Sequence, residues 1–258
     1  MKTRIISGLI MAPLLIVVFL GGAVLKATVL IISIVAVYEF FKIHKKEGFV
    51  GSLPIAVCSV AALYTLNFLG VDQKYYVLWL VASVIACLIY MFNIDKRTPA
   101  DAVLTVTGII YVVFFAFHIA WITDLEGFEI FTWMVLITAL VTDIAAYFSG
   151  FFFGKFHFFG DKKLCPKISP KKTREGAVGG VFWCALISAL FGAILTDGLW
   201  LHCLIMGVLG SIAGQLGDLT ASIFKRKADG HGGVMDRIDS ILFTAPVICW
   251  YVQIFLVK

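Results

Sequence analysis

Apolar runs long enough to cross a membrane recur along this sequence and constrain its fold more than any other feature. A helix rises about 1.5 Å per residue, so about 20 apolar residues span the roughly 30 Å hydrocarbon layer of a bilayer. The composition agrees, because 61% of the 258 residues are hydrophobic and only 14% are charged. Soluble domains are about a quarter charged. The sequence therefore predicts an all-α fold, a polytopic membrane helix bundle.

We predict about nine transmembrane helices. Only Gly21-Gly22-Ala23 separates the first two spans, and a helical hairpin fits this start better than a cleaved secretory signal. Spans 1 to 5 form an N-terminal region, residues 1–130, and spans 6 to 9 form a C-terminal catalytic region, residues 131–258. The predicted spans are residues 5–21, 24–41, 53–70, 75–92, 102–122, 131–153, 181–196, 199–222 and 241–257.

Basic residues are distributed unevenly between the two sides of these spans. Eighteen of the 21 lysines and arginines fall at the N-terminus or in the loops after spans 2, 4, 6 and 8. Cytoplasmic loops of membrane proteins carry such an excess, so the N-terminus is predicted to be cytoplasmic. The partners expected on that side are the anionic surface of the lipid bilayer and an anionic substrate, and no nucleic acid.

Span 6 carries a carboxylate within its apolar run. Asp143 lies roughly ten residues above the predicted cytoplasmic end. A charge at such a depth costs about 2.5–3.5 kcal/mol to insert, so it normally faces a polar cavity, a partner or an ion. Helical spacing aligns Asp143, Tyr147, Gly150 and Gly154 on one stripe that runs towards the cytoplasm. A structural hydrogen bond between helices is the alternative.

Span 8 carries two stripes with helical spacing. One consists of glycines, which allow another helix to pack closely. The other is polar, and a purely structural helix has little use for it, so we expect it to line a water-filled funnel. The glycine stripe is Gly207, Gly210, Gly214 and Gly217, and the polar stripe is Ser211, Gln215, Asp218, Ser222 and Lys225.

The loop after span 6 combines hydroxyl groups, lysines and glycines just before a predicted helix. Exposed backbone N–H groups at a helix start bind phosphate well. Ser169, Lys171, Lys172 and Thr173 are therefore candidates for binding a substrate phosphate. A basic surface loop that only follows the positive-inside rule is the alternative.

Three carboxylates flank the loop between spans 8 and 9. Asp218 lies near the cytoplasmic end of span 8, and Asp236 and Asp239 precede span 9. Carboxylate oxygens suit a hard cation, so we expect Mg²⁺ at Asp218 and Asp236, with Asp239 and Asp143 as weaker candidates. Lys225, Arg226 and Arg237 lie beside them for phosphate oxygens. Such a site is typical of phosphoryl or nucleotidyl transfer.

The C-terminal half resembles the phosphatidate cytidylyltransferases, also called CDP-diacylglycerol synthases, in five motifs. The stretch between Arg226 and His231 is shorter than is usual in that family, so the family's Lys-Asp pair is not assigned to any residue here. The motifs are Asp143-x-x-Ala146-Tyr147; Ser169-Pro170-Lys171-Lys172-Thr173-x-Glu175-Gly176-x-x-Gly179-Gly180; Gly214-Gln215-x-Gly217-Asp218-Leu219; Ser222-x-x-Lys225-Arg226; and His231-Gly232-Gly233-x-x-Asp236-Arg237-x-Asp239-Ser240.

The resemblance implies that phosphatidic acid attacks the α-phosphorus of CTP, releasing pyrophosphate and forming CDP-diacylglycerol. It also implies a bacterial inner membrane protein with its active site facing the cytoplasm, and a homodimer is compatible with it. The implied catalytic residues are Asp218, Lys225, Arg226, His231, Asp236 and Arg237. The implied substrate-binding residues are Ser169, Lys171, Lys172, Thr173, Gln215, Ser222, Gly232 and Gly233.

Two other functions remain open at the level of the sequence. A CTP-dependent kinase of a lipid alcohol would need the same cations, Mg²⁺ and membrane helices. An ion-coupled transporter could use Asp143 and the glycine-rich span 8 as a midplane site, although no second copy of either pattern supports repeated halves. The sequence contains no Walker loop or Gly-x-Gly-x-x-Gly fingerprint, which argues against a soluble nucleotide-binding domain.

Overall fold

The computed structural model describes residues 15–154, 163–170, 172–228 and 233–257. This part of the chain is helical and contains no strand beyond one isolated bridge between Cys165 and Ser169. The helices are α1 (15–20), α2 (Gly22–Lys45), α3 (Leu53–Phe68), α4 (Lys74–Tyr90), α5 (Pro99–Thr107), α6 (Phe115–Ile122), α7 (Thr132–Phe153), α8 (Arg174–Leu195), α9 (Trp200–Ala228) and α10 (Met235–Phe255).

Six apolar helical rods in the described residues are long enough to cross a membrane. They are α2, the rod Pro99–Ile122, the rod Glu129–Phe153, α8, α9 up to Phe224, and α10. A π-helical turn, Gly108–Phe114, joins α5 to α6 within the second rod. The helices α3 and α4 are apolar but shorter. The predicted all-α membrane bundle is therefore confirmed, with six spans of sufficient length.

The predicted break between the first two spans is present at Gly21. The helix α1 ends at residue 20 and α2 begins at Gly22, and the φ angles of Gly21 and Gly22 are 59° and 48°. Residues with a side chain rarely adopt this left-handed conformation, because the Cβ atom collides with the backbone. The two glycines therefore allow the chain to turn where hydrophobicity alone shows no boundary.

Three helices extend beyond the spans predicted for them. The helix α8 begins at Arg174 although its span was predicted from 181, α9 continues to Ala228 past 222, and α10 begins at Met235 before 241. Hydropathy marks only the apolar part of a helix. Backbone hydrogen bonding continues into the polar residues at the helix ends, so each helix is longer than its apolar span. Asp236 and Asp239 therefore lie on the first turns of α10, and not in a loop.

The glycine stripe of α9 is in contact with three different helices. An added Cβ atom would lie 2.7 Å from the Ser188 side chain of α8 at Gly207 and 2.7 Å from the Thr138 side chain of α7 at Gly210. At Gly214 it would lie 3.2 Å from Thr244 of α10. The stripe thus places α9 at the centre of the C-terminal helices, which brings its polar side next to α7 and α8.

Aromatic side chains fill the space where the C-terminal ends of α2 and α9 meet the start of α10. The ring of Phe224 in α9 lies 5.4 Å from Phe40 of α2 and 5.7 Å from Tyr111 of the π-helical turn, between centroids. Tyr111 lies 5.9 Å from Phe243 of α10. Two of these three pairs are edge-to-face, an arrangement that stabilises a packed core by about 0.5–1.5 kcal/mol per pair. This cluster fixes the N-terminal helices against the ends of α9 and α10.

Candidate active site

A cleft of about 460 Å³ with charged and apolar lining opens between α7, α8 and α9. Its volume falls within the usual range of about 300–1,000 Å³ for small-molecule pockets. The stripe of span 6 that contains Asp143 and the polar stripe of span 8 both contribute residues to its wall. The lining residues are Asp143, Ala146, Tyr147, Gly150, Phe151, Leu164, Lys172, Thr173, Gly176, Ala177, Gln215 and Asp218.

An ion pair lies at the centre of the charged wall. The Nζ atom of Lys172 contacts the Oδ2 atom of Asp218, and each side chain is 27% exposed. Asp143 lies in the same wall and is itself exposed to the cleft. Among the described lining residues, two carboxylates thus face one ammonium group, which leaves an excess negative charge for a cation to neutralise.

Glycines allow the backbones of α7 and α8 to approach closely beside the cleft. A Cβ atom added to Gly176 would lie 2.7 Å from the carbonyl oxygen of Ala146, and one added to Gly150 would lie 2.7 Å from Thr173 Oγ1. Gly179 lies against the Ser149 side chain in the same way. Any larger residue here would separate the two helices, so these glycines set the width of the cleft.

Thr173 begins α8 and lines the cleft at the same time. Its Oγ1 atom accepts a hydrogen bond of 3.0 Å from the backbone N–H of Gly176, which caps the helix. The preceding turn folds back onto this start, since the N–H of Leu164 donates to the carbonyl of Lys172 at 3.0 Å. Leu164 therefore closes one side of the cleft, and nothing in the sequence pattern marked it as a site residue.

The polar stripe of α9 divides into a lining part and a structural part. Gln215 and Asp218 line the cleft, and the Nε2 atom of Gln215 donates to the carbonyl of Ala177 at 3.1 Å. Ser211 is buried instead, and accepts a hydrogen bond of 2.8 Å from Thr142 of α7. Ser222 is not one of the lining residues. Among the stripe side chains that the structure describes, Gln215 and Asp218 alone line the cleft.

Several predicted site residues are not among the residues that line this cleft. Ser169 is not a lining residue, and its N–H donates to the carbonyl of Cys165 at 2.8 Å. Asp236 and Arg237 lie on the first turn of α10, and Arg226 is exposed near the end of α9. Asp239 is buried, and its Oδ1 atom accepts a hydrogen bond of 2.8 Å from the N–H of Ser240.

Some predicted site residues cannot be placed. Lys171, His231 and Gly232 lie outside the described residues, and so does the side chain of Lys225. Gly233 is described and lies just before α10, against the carboxylate of Glu39. The structure therefore brings together Asp143, Lys172, Thr173, Gln215 and Asp218 in one cleft.

The described residues offer two carboxylates for a metal ion in the cleft. No three Asp, Glu, His or Cys side chains are grouped as a metal site within the described ranges. However, Mg²⁺ is commonly bound by only one or two carboxylates together with substrate phosphates. Asp143 and Asp218, which share one wall with a net negative charge, fit that type of site.

Glu39 of α2 contacts the start of α10, where three predicted site residues lie, and helical periodicity did not predict this contact. Its Oε2 atom accepts a hydrogen bond of 2.9 Å from the backbone N–H of Met235, the first residue of α10. In the sequence, Glu39 lies near the end of an apolar span and is followed by several lysines. This pattern predicts an ion pair between Glu39 and one of those lysines. Only the packing of α2 against α10 reveals the contact.

Together, the fold and this cleft define a multi-pass helical membrane protein with a charged site beside the ends of its C-terminal helices. The chain matches the family model described as "Cytidylyltransferase family" over residues 2–255, and it belongs to that family. Membership makes it a nucleotidyltransferase, which confirms the class of enzyme predicted from its sequence.

Three proteins illustrate the relationship. The chain is 28% identical to the phosphatidate cytidylyltransferase of Bacillus subtilis, over 99% of this chain and 98% of that protein. It is 28% identical to the phosphatidate cytidylyltransferase of Thermotoga maritima, over 96% and 94% of the two chains. It is also 36% identical to the uncharacterized protein YnbB of Escherichia coli, but that match covers only 57% of this chain and 52% of YnbB.

Proposed function

We propose that this chain transfers the cytidylyl group of CTP to phosphatidic acid, giving CDP-diacylglycerol and pyrophosphate. Full-length similarity to two phosphatidate cytidylyltransferases supports the substrates. In this reaction a phosphate oxygen of phosphatidic acid forms a bond to the α-phosphorus of CTP. The bond between that phosphorus and the oxygen bridging to the β-phosphate breaks, and the electron pair leaves with pyrophosphate.

The observation that carries the proposal is the cleft in which Lys172 and Asp218 meet beside the start of α8. The Lys172 ammonium group would neutralise phosphate oxygens as negative charge spreads in the transition state. The hydroxyl group of Thr173 and the N-terminus of α8 would orient a phosphate by hydrogen bonds. No side chain has to act as the nucleophile, because phosphatidic acid supplies the attacking oxygen.

Magnesium belongs to this proposal as the cofactor. Asp143 and Asp218 would hold Mg²⁺ within the cleft, with Asp236 and Asp239 of α10 as further candidates. A bound Mg²⁺ would polarise phosphate oxygens and neutralise the charge of the departing pyrophosphate. The remaining predicted groups, Lys225, Arg226, His231 and Arg237 among them, would complete the binding of the nucleotide phosphates.

We propose the following arrangement in the membrane. The chain has about nine spans, with its N-terminus and the cleft on the cytoplasmic side of a bacterial inner membrane, in agreement with the excess of basic residues there. Residues 1–130 support the catalytic region, residues 131–258. The helices α7 and α8 expose apolar surface that either lipid or a second copy of the chain would cover, and a homodimer is the simplest such assembly. The mass of the protein in detergent micelles tests whether it is a dimer.

A labelling experiment tests the reaction. Purified protein in detergent micelles, supplied with phosphatidic acid, Mg²⁺ and CTP, should transfer the α-phosphorus label of CTP to lipid and release pyrophosphate. Transfer of the γ-phosphorus label to lipid would identify a lipid kinase instead. Formation of CDP-lipid in micelles, where no ion gradient exists, would exclude ion-coupled transport as the explanation. A protein that transfers neither label would contradict the proposed function.

A further inference from the structure

A carboxylate of the N-terminal helices holds the start of the helix that carries Asp236, Arg237 and Asp239. Glu39 of α2 accepts a hydrogen bond of 2.9 Å from the backbone N–H of Met235. This contact joins residues 196 positions apart in the chain. Gly233 lies so close to the same carboxylate that an added Cβ atom would overlap both of its oxygens. The two observations independently place Glu39 against residues 233–235.

This contact replaces a cap that α10 lacks in its own sequence. The residue at the cap position, Val234, has no side chain that can accept a hydrogen bond, and none is made there. The first N–H groups of a helix need acceptors, and a negative charge at this end interacts favourably with the helix dipole. Glu39 supplies both the acceptor and the charge, so it fixes the direction in which α10 begins.

The same end of α2 also contacts the last turns of α9. The rings of Phe40 and His44 each lie 5.4 Å from the ring of Phe224, between centroids. Phe224 directly precedes Lys225 and Arg226. One short segment of α2, residues 39–44, thus holds the end of α9 through aromatic contacts and the start of α10 through a hydrogen bond. The residues between these two ends include three of the predicted catalytic residues, Lys225, Arg226 and His231.

We propose that Glu39 is a positioning residue for cytidylyl transfer, acting through the first turn of α10. Fixing the N–H of Met235 fixes the neighbouring Asp236 and Arg237 relative to the substrate phosphates. The inference rests on the proposed function, because it assigns a role in that reaction. It also explains why a glycine stands at position 233, where any side chain would displace the carboxylate.

The test compares Glu39→Ala, Glu39→Gln and Gly233→Ala in the full-length protein in micelles. Glu47→Ala is the matched control, because it removes an exposed carboxylate from the loop directly after α2. Glu39→Ala should lower kcat about tenfold or more, equivalent to about 1.4 kcal/mol in the barrier. The KM for CTP should rise by less than kcat falls, because Lys172 and Thr173 lie on other elements and still bind phosphate, while Arg237 lies on the released turn. Glu39→Gln keeps an acceptor oxygen and should recover most of the lost rate.

Two further readouts separate positioning from a general loss of stability. Trypsin should cleave Glu39→Ala faster than the wild type after Arg237, on the first turn of α10, while the thermal midpoint of the whole bundle changes little. Gly233→Ala should lower kcat in the wild-type background but add little to Glu39→Ala, because the colliding carboxylate is then absent. The variants Glu39→Gln and Gly233→Ala decide the question if Glu39→Ala does not fold.

Wild-type kcat together with a wild-type rate of trypsin cleavage in Glu39→Ala would overturn the proposal. An equal loss of kcat in Glu47→Ala, or effects of Glu39→Ala and Gly233→Ala that simply multiply, would overturn it as well. If the wild-type protein makes no CDP-lipid, the proposed function fails first. The trypsin experiment still reports whether Glu39 holds the start of α10, so the two failures are distinguishable.

Discussion

Two ion pairs of similar exposure allow catalysis to be separated from stability in this protein. Lys172 and Asp218 form the pair in the cleft, with both side chains 27% exposed. Lys26 and Asp124 form a pair near the start of α2, with side chains 12% and 35% exposed. Lys26 precedes Glu39 by 13 residues on α2, and a helix rises about 1.5 Å per residue. The control pair therefore lies about 20 Å along α2 from the contact with α10.

The expected magnitudes differ between turnover and stability. Exposed ion pairs contribute about 0.2–1 kcal/mol to stability, and breaking a fully buried pair costs about 3–5 kcal/mol. For these partly exposed pairs, we expect Lys172→Met, Asp218→Asn, Lys26→Met and Asp124→Asn each to cost about 1–2 kcal/mol of unfolding free energy. Removing a group that stabilises transition-state charge lowers kcat about 10²–10³-fold, and only the cleft variants should show this loss.

The assay is CDP-lipid formation from α-labelled CTP, measured alongside the thermal midpoint of each variant in the same detergent. Lys172→Met and Asp218→Asn should lose turnover far beyond their loss of stability, and Lys26→Met should keep turnover within about threefold of the wild type. The double variant Lys172→Met with Asp218→Asn should be no worse than the poorer single variant. The opposite result is that the cleft variants keep a third of the wild-type kcat/KM and lose as much stability as the Lys26 and Asp124 variants. That result would show that the pair of Lys172 and Asp218 is structural.

Two further predictions concern helix packing and the metal ion. Gly176→Ala places a Cβ atom 2.7 Å from the Ala146 carbonyl oxygen. This variant should therefore lose about 1–3 kcal/mol of unfolding free energy and turn over more slowly. Wild-type thermal stability and rate would contradict the close packing of α7 and α8. EDTA should abolish CDP-lipid formation and added Mg²⁺ should restore it, with Asp218→Asn and Asp236→Asn requiring more Mg²⁺ or remaining inactive. Near-normal activity of both variants at limiting Mg²⁺ would show that neither carboxylate binds the ion.

Helical periodicity predicted the cleft-facing residues in part, since Ser211 and Ser222 of the same polar stripe do not line the cleft. It aligned Asp143 with Tyr147 and Gly150, and Gln215 with Asp218, and all five line the cleft. The same periodicity cannot tell which faces of different helices meet, because that depends on packing between segments far apart in the chain. The glycine stripe of α9 shows this limit, since its members contact α7, α8 and α10 and not a single partner helix.

The contact between Glu39 and Met235 could not be predicted from the sequence for a related reason. Local patterns indicate caps supplied by residues a few positions away, as at Thr173, where the hydroxyl group and the N–H of Gly176 are close in sequence. The cap of α10 comes instead from a residue 196 positions earlier. Val234 gave the only local clue, because a helix start without its own polar cap must find acceptors elsewhere.

The length of α9 accounts for the depth at which the charged groups of the cleft lie. At about 1.5 Å per residue, its 29 residues extend about 44 Å, roughly 14 Å more than the hydrocarbon layer. If Trp200 marks the far interface, as tryptophans in aromatic belts do, the last turns of α9 project beyond the hydrocarbon on the side of the cleft. Asp218 precedes the end of α9 by ten residues, or about 15 Å, which would then place it near the boundary between hydrocarbon and headgroups. A phosphate on a membrane lipid lies close to that level, so the acyl chains can stay in the bilayer while a soluble nucleotide enters from water.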